Sequence, residues 1–219
     1  MADVVKRRTY NSPRRQEQAA ATRRAILDAA EQLFEENGYV ATTMAAIAAE
    51  AGVALKTVYI AFETKSGVLR ALWNIRLRGD EGEAPVAARE WYRRMLDEPD
   101  PERQLRLNAR NARMVKVRVG TLLGVIRTAA PADPDVGALW ERIQGDFYEN
   151  QRAVVKSLHA KGALKPGLDV RRGTDIVWTL NHPDIWLLLV GERGWSAQRF
   201  ERWLADAFCS QLLRGGAAR

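Results

Sequence analysis

The sequence holds one cysteine, Cys209, and two histidines, His159 and His182. A lone cysteine cannot close an intramolecular disulfide or supply a thiolate cluster for zinc. The two histidines fall on different predicted helices, and no metal-ligand spacing and no glycine-rich phosphate loop occur. Cys209 follows Phe208 on an apolar helix face, the setting of a small buried hydrophobe. The carboxylates fall on predicted solvated faces. These absences predict a protein that is not an enzyme and needs no cofactor or metal. Long apolar runs are missing too. The longest, Ile185 to Val190, is far too short to span a bilayer. The segment MADVVKRRTYNSPRR has charge but no apolar core, so it is not expected to be a signal peptide. The expectation is a cytoplasmic chain with no membrane partner.

What is present is an ordinary core-forming mix, 47% hydrophobic and 28% charged residues, enough apolar side chain to bury a core. The net charge of +7 is uneven. Lys6, Arg7, Arg8, Arg14, Arg15, Arg23 and Arg24 face only Asp3 and Glu17 in the first tenth of the chain, so about +5 lies there. Residues 1–12 read as a basic flexible arm of the kind that reaches a phosphate backbone.

Almost every long segment has helical periodicity, and neither a strand nor an internal repeat is evident; the fold class is all-α. A first helix starts at Ser12-Pro13, carries the stripe Ile26, Leu27, Ala30, Leu33, Phe34, and ends at Asn37-Gly38. Thr43 caps a second helix, Met44 to Ala51; Gly52-Val53 turns; a third runs from about Ala54 to Ala61; Thr64 caps a fourth. The polar stretch Gly79 to Pro85 is the best boundary. Beyond it the pattern predicts helices over Pro85–Asp97, Pro101–Val119, Thr121–Ala130, a long one opened by Asp133-Pro134, Val170–Leu180, a restart at Pro183, and a last helix capped by Ser196, with Trp195 and Phe200 placed for a hydrophobic staple. The predicted domains are 13–63, a connecting helix 64–79, and 80–219.

The stretch AAIAAEAGVALKTVYIAF, Ala45 to Phe62, uses its smallest side chains where two helices would cross steeply. Ala48 stands four residues before Gly52, which tolerates positive φ. Ile47, Val53, Val58 and Phe62 are spaced to lock the pair onto Leu33 and Phe34. The third helix shows Lys56, Thr57 and Tyr59 on its outer face, and Thr43 and Lys65 stand at neighbouring helix starts, which favour phosphate oxygens. The pattern predicts a helix-turn-helix aimed at double-stranded DNA. A generic alanine-rich hairpin would share the small residues but not that face.

From Ala25 to about Leu72 the sequence resembles the TetR family of transcriptional regulators. The resemblance rests on Ala25-Ile26-Leu27-Asp28-Ala29-Ala30, Leu33-Phe34, Gly38-Tyr39, Ala41-Thr42-Thr43, Ile47-Ala48, Ala51-Gly52-Val53, Thr57-Val58-Tyr59, Phe62 and Thr64-Lys65. It implies an N-terminal three-helix DNA-binding domain joined by a fourth helix to a larger helical domain for dimerisation and ligand binding. It implies backbone contacts from Thr43, Tyr59 and Lys65, and base or backbone contacts from Leu55, Lys56, Thr57 and Ile60. The sequence departs from the family at Ala54, where a capping serine is common, at Ile60 and Ala61, where polar residues are common, and at Gly67, where a capping-box Glu is common.

One short recognition helix reads few base pairs, so specificity implies a homodimer on a near-palindromic operator. The helices from about Pro134 to Ala160 and from Ala197 to Leu213 are the expected interface. Polar and aromatic residues on apolar faces, Trp91, Asn108, Trp140, Tyr148 and Trp178, are candidates to hold an unknown small-molecule effector of apolar or aromatic character. Each reads more readily as a core aromatic or a polar group satisfied by backbone. The expected function is a nucleoid-associated repressor released by that effector; an activator, or a ligand-independent architectural dimer, fits the same residues.

Overall fold

The computed structural model describes residues 13–78 and 86–214. The basic arm 1–12, the Ser12 cap and the stretch 79–85 lie outside the described residues. The fold is all-α: α1 (Pro13–Ala41), α2 (Met44–Glu50), α3 (Leu55–Phe62), α4 (Lys65–Arg78), a 3-10 turn (Val86–Ala88), α5 (Glu90–Asp97), α6 (Pro101–Ala129), α7 (Pro134–Ala160), α8 (Val170–Leu180), α9 (Pro183–Trp186), a π-helical segment (Leu187–Glu192) and α10 (Ala197–Leu212). Among the described residues no helix is long and apolar enough to cross a membrane on its own. The chain divides into two compact units, one ending at Ala71 and the other starting at Leu72, so the division falls inside α4.

The N-terminal unit closes around Ile26, Ala30, Phe34, Ile47, Val58, Val68 and Leu69, all fully buried. Helix α1 is broken at Gly38, whose φ of 76 and ψ of 167 only glycine adopts readily. The chain there takes an extended kink at the helix end the sequence marks. Tyr39 then packs on Phe34 with ring centroids 5.5 Å apart, and the Thr42 hydroxyl donates to the Gly38 carbonyl at 2.8 Å. The second glycine signal falls at Gly52, φ 65, after α2. The Val53 N–H reaches back to the Ala48 carbonyl at 3.0 Å, so the helix end is satisfied as the chain reverses.

The C-terminal unit packs α6 along α10 and α7 against α8. Leu105, Ala109, Val154, Val155, Leu158, Phe200, Leu204, Phe208 and Leu212 fill its core. Four caps set its helices: the side chains of Asp100, Asp133, Asp169 and Ser196 accept from the N–H groups of Arg103, Asp135, Arg172 and Arg199 at 2.6, 3.0, 2.8 and 3.1 Å.

Three elements differ from the sequence expectation. The segments Pro101–Val119 and Thr121–Ala130 are one helix, α6, of 29 residues. Gly120 does not break it; a Cβ there would stand 2.8 Å from Trp186 Nε1, so this glycine admits the indole to the helix surface. The segment begun near Pro85 opens with the 3-10 turn, and its α-helix starts only at Glu90. The helix restarting at Pro183 keeps α-geometry for four residues before widening into the π-segment. Trp195, expected to pair with Phe200, sets its ring edge against Trp203 at 6.1 Å; Phe200 packs on Trp186 and Trp203.

Candidate nucleic-acid interface

Helices α2 and α3 meet at 112°, within the range of a helix-turn-helix. On α3 the buried residues are Val58 and Phe62. The opposite face leaves Leu55, Lys56, Tyr59 and Ile60 exposed, Ile60 at 75%. Thr57 is half-buried. An isoleucine that exposed stabilises nothing inside the unit, but it suits a thymine methyl in a groove. Thr43 is exposed at the start of α2, where its hydroxyl oxygen accepts from the Ala46 N–H at 3.0 Å. Arg23 closes the other end of the motif: its guanidinium donates to the Ala61 carbonyl at 2.8 Å and lies 4.1 Å over the Phe62 ring.

Lys65, for which the resemblance implies a phosphate contact, also makes bonds within the unit. Its ammonium donates to the carbonyls of Tyr39 and Thr42 at 2.7 and 2.9 Å and sits 4.2 Å over the Tyr39 ring. That geometry makes Lys65 a brace from the first turn of α4 to the kinked end of α1. Lys65→Ala is therefore expected to lower the stability of this unit by roughly 1–3 kcal/mol, and thermal unfolding will check it. An unchanged melting temperature, with binding still lost, would return the ammonium to the DNA backbone.

The turn between α3 and α4 is strained. Glu63 has φ 62 and ψ −50, and the Thr64 N–H bonds the Phe62 carbonyl at 2.7 Å, a γ-turn of the rare positive-φ kind. The turn folds the Phe62 carbonyl over α4, where a Cβ on residue 67 would lie 2.2 Å from that oxygen. This explains the departure at Gly67: there is no room for a capping-box side chain. Thr64 caps alone, accepting from the Gly67 N–H at 3.0 Å. Ala54, lacking a capping side chain, starts α3 with extended backbone only.

The residues proposed for an effector are not all brought together. Trp91 sets its ring edge-on to its neighbour Tyr92, whose hydroxyl donates to the Asn150 carbonyl at 2.7 Å. Tyr148 donates to Asp175 at 3.0 Å, and Trp140 is half-buried on α7. Trp178 stacks edge-on to His182 at 4.8 Å. Asn108 is buried and belongs to a polar cluster that the sequence reading missed. Its amide donates to Gln151 Oε1 at 3.4 Å, as Asn181 does at 3.5 Å. Lys116 donates to the Asn181 backbone carbonyl at 2.8 Å and to its side-chain oxygen. Lys116 is 5% exposed, and burial pulls its pKa down to about 7. Among the described residues no carboxylate lies within ion-pair distance of it. A signal for it existed: Leu105, Asn108, Ala112, Lys116 and Val119 recur at helical spacing on one buried face.

Residues 26–72 match the family model described as "Bacterial regulatory proteins, tetR family". No curated protein matches the chain. Solved structures share its fold. NalD, the secondary repressor of the MexAB-OprM multidrug efflux pump in Pseudomonas aeruginosa, is 23% identical over 90% of this chain and 98% of its own, with a TM-score of 0.67. The SmeT–triclosan complex is 19% identical over 90% and 93%, with a TM-score of 0.67. A TetR transcription regulator from Haloarcula marismortui is 16% identical over 88% and 99%, with a TM-score of 0.65. Residues 26–72 thus form an N-terminal domain of the TetR type, and the solved structures show that the rest of the chain shares their fold.

Proposed function

We propose that the chain is a repressor that binds a near-palindromic operator as a homodimer and is released by a small apolar or aromatic effector. The observation that carries this reading is the exposed face of α3, with Lys56, Tyr59 and Ile60 outward while Val58 and Phe62 are buried. NalD is a repressor and SmeT is solved with triclosan; both support the same reading here. On α10, Phe200, Leu204, Phe208 and Leu212 are buried within the chain, and Trp203 and Ala207 remain half-buried one turn apart, a stripe suited to a second copy.

In this scheme Thr43 and Tyr59 hold the phosphate backbone, and Leu55, Lys56, Thr57 and Ile60 face the base edges. Effector binding favours a state whose two recognition helices no longer stand one DNA turn apart, about 34–36 Å. By linkage, DNA then weakens effector binding by the same factor. The test is a titration of purified protein with DNA flanking its own gene against scrambled DNA at two salt concentrations. Preference for the flanking DNA that survives higher salt supports a specific regulator; equal, salt-labile binding to both counts against it. Lys56→Ala is expected to cost about 1–3 kcal/mol at one operator position and to relax preference there. A uniform loss on all sequences would move Lys56 to the backbone, alongside Tyr59.

A further inference from the structure

The C-terminal unit buries a lysine, Lys116, with no carboxylate within ion-pair distance among the described residues. Lys116 sits on α6 with Phe147 and Phe200 rings at 5.9 and 5.7 Å from its ammonium. Around it stand the amides of Asn108, Gln151 and Asn181, each no more than 5% exposed. Two of the bonds that join these amides are long, 3.4 and 3.5 Å, so the cluster closes only loosely on itself. One turn before Phe147 on α7, both amide atoms of Gln144 are buried without a hydrogen-bond partner. A native interior seldom leaves a whole amide unsatisfied.

The chemistry of this cluster selects a ligand. Its one formal charge is positive, and buried charge is stabilised only by an opposite charge and good hydrogen bonds. A single carboxylate would neutralise the ammonium; a phosphate dianion would leave a buried negative charge uncompensated. Asparagine and glutamine amides donate to carboxylate oxygens. The neighbouring Phe147, Phe200 and Trp186, with Trp186 and Phe200 edge-to-face at 5.0 Å, offer aromatic contact to the remainder of such a molecule.

We propose that Lys116, with the amides of Asn108, Gln151 and Asn181, anchors a monoanionic aryl carboxylate, and that this is the chemical class of the effector. The proposal rests on the effector-released reading given above. It places the recognition of the acid on α6, α7 and the end of α8.

The experiment compares benzoate, phenylacetate and hydrocinnamate with their neutral carboxamides, by calorimetry and thermal shift on the full chain. Lys116→Met is the variant, because methionine fills similar length without a charge to bury. In the parent, at least one acid is expected to bind roughly tenfold more tightly than its carboxamide. In Lys116→Met, which should give the same circular dichroism, that ratio is expected to fall to about one. An unchanged ratio in the variant, no preference in the parent, or no binding by any of the acids overturns the proposal. Operator release, measured in parallel, separates the two readings. Acids that bind through Lys116 without releasing DNA leave the anchor standing and remove the effector role. Release by carboxamides, with no acid preference, removes the anchor and leaves effector gating standing.

Discussion

Gly67→Ala is expected to destabilise the DNA-binding unit by roughly 3 kcal/mol or more and to abolish operator binding at ordinary temperature. On helix propensity alone the opposite sign would follow, since alanine in place of a helical glycine gains about 1 kcal/mol. The structure decides against propensity. The new Cβ would stand 2.2 Å from the Phe62 carbonyl, a backbone atom held by the γ-turn at Glu63. Relief requires moving α3 relative to the first turn of α4, and α3 is the element that presents Lys56 and Tyr59. Thermal unfolding of the variant, with a DNA titration at low temperature, checks both consequences. A variant more stable than the parent would mean that the Phe62 carbonyl does not crowd residue 67. Glu63→Gly serves as the control in the other direction: it removes the Cβ strain at positive φ and is expected to be neutral or stabilising by about 1 kcal/mol.

Lys116→Met is expected to stabilise the C-terminal unit by roughly 1–3 kcal/mol at neutral pH. The ammonium is buried without a carboxylate, and burial holds its pKa near 7 against 10.5 for an ordinary lysine. The unfolded chain therefore holds more protons than the folded one between about 7 and 10.5. In that window this group makes the parent more stable as pH rises, by at most about 1.4 kcal/mol per unit. Below it the cost is full and flat; above it the cost vanishes. The gain from Lys116→Met should thus be greatest at and below neutral pH and shrink toward alkaline pH. The bonds to Asn181 that the substitution removes offset part of it. Nearby His182 has a lowered pKa, through burial first and then the positive charges of Arg127 and Lys116, with Asp184 opposing. Its titration lies below the window. Urea unfolding of both proteins across neutral to alkaline pH will show the trend; a gain that grows with pH would refute it.

The local features of this fold were legible because local chemistry fixes them. Thr43, Thr64, Asp133 and Ser196 cap helices where a short polar side chain precedes an apolar stripe, and Gly52 turns the chain where positive φ is required. The helix-turn-helix was readable for the same reason. What was not legible depends on partners far along the chain. Gly120 looks like a helix breaker until Trp186 is placed beside it. Gly67 looks like a lost cap until the Phe62 carbonyl is seen above it. That the Lys65 ammonium also braces the carbonyls of Tyr39 and Thr42 is invisible until α1 and α4 are placed side by side. Lys116 lies among Arg110, Arg113 and Arg118, and charge of one sign along a helix ordinarily means a solvated face. Only the period of the buried stripe separates it from those neighbours.

If α3 is the recognition helix of the dimer proposed above, the γ-turn at Glu63 also fixes how much information the protein can read. It stops α3 at eight residues, with Gly52 close before the other end, so the helix rises about 12 Å. Laid along a groove, that length covers three to four base steps at about 3.4 Å each. Four positions distinguish about 256 sequences, and a pair of copies about 65,000, fewer than the million or more competing sites of a genome. The shortfall has to be made up by bases no side chain touches, through groove width and the ease of bending. The bases at the centre of the operator should therefore matter to this protein even though α3 ends before reaching them.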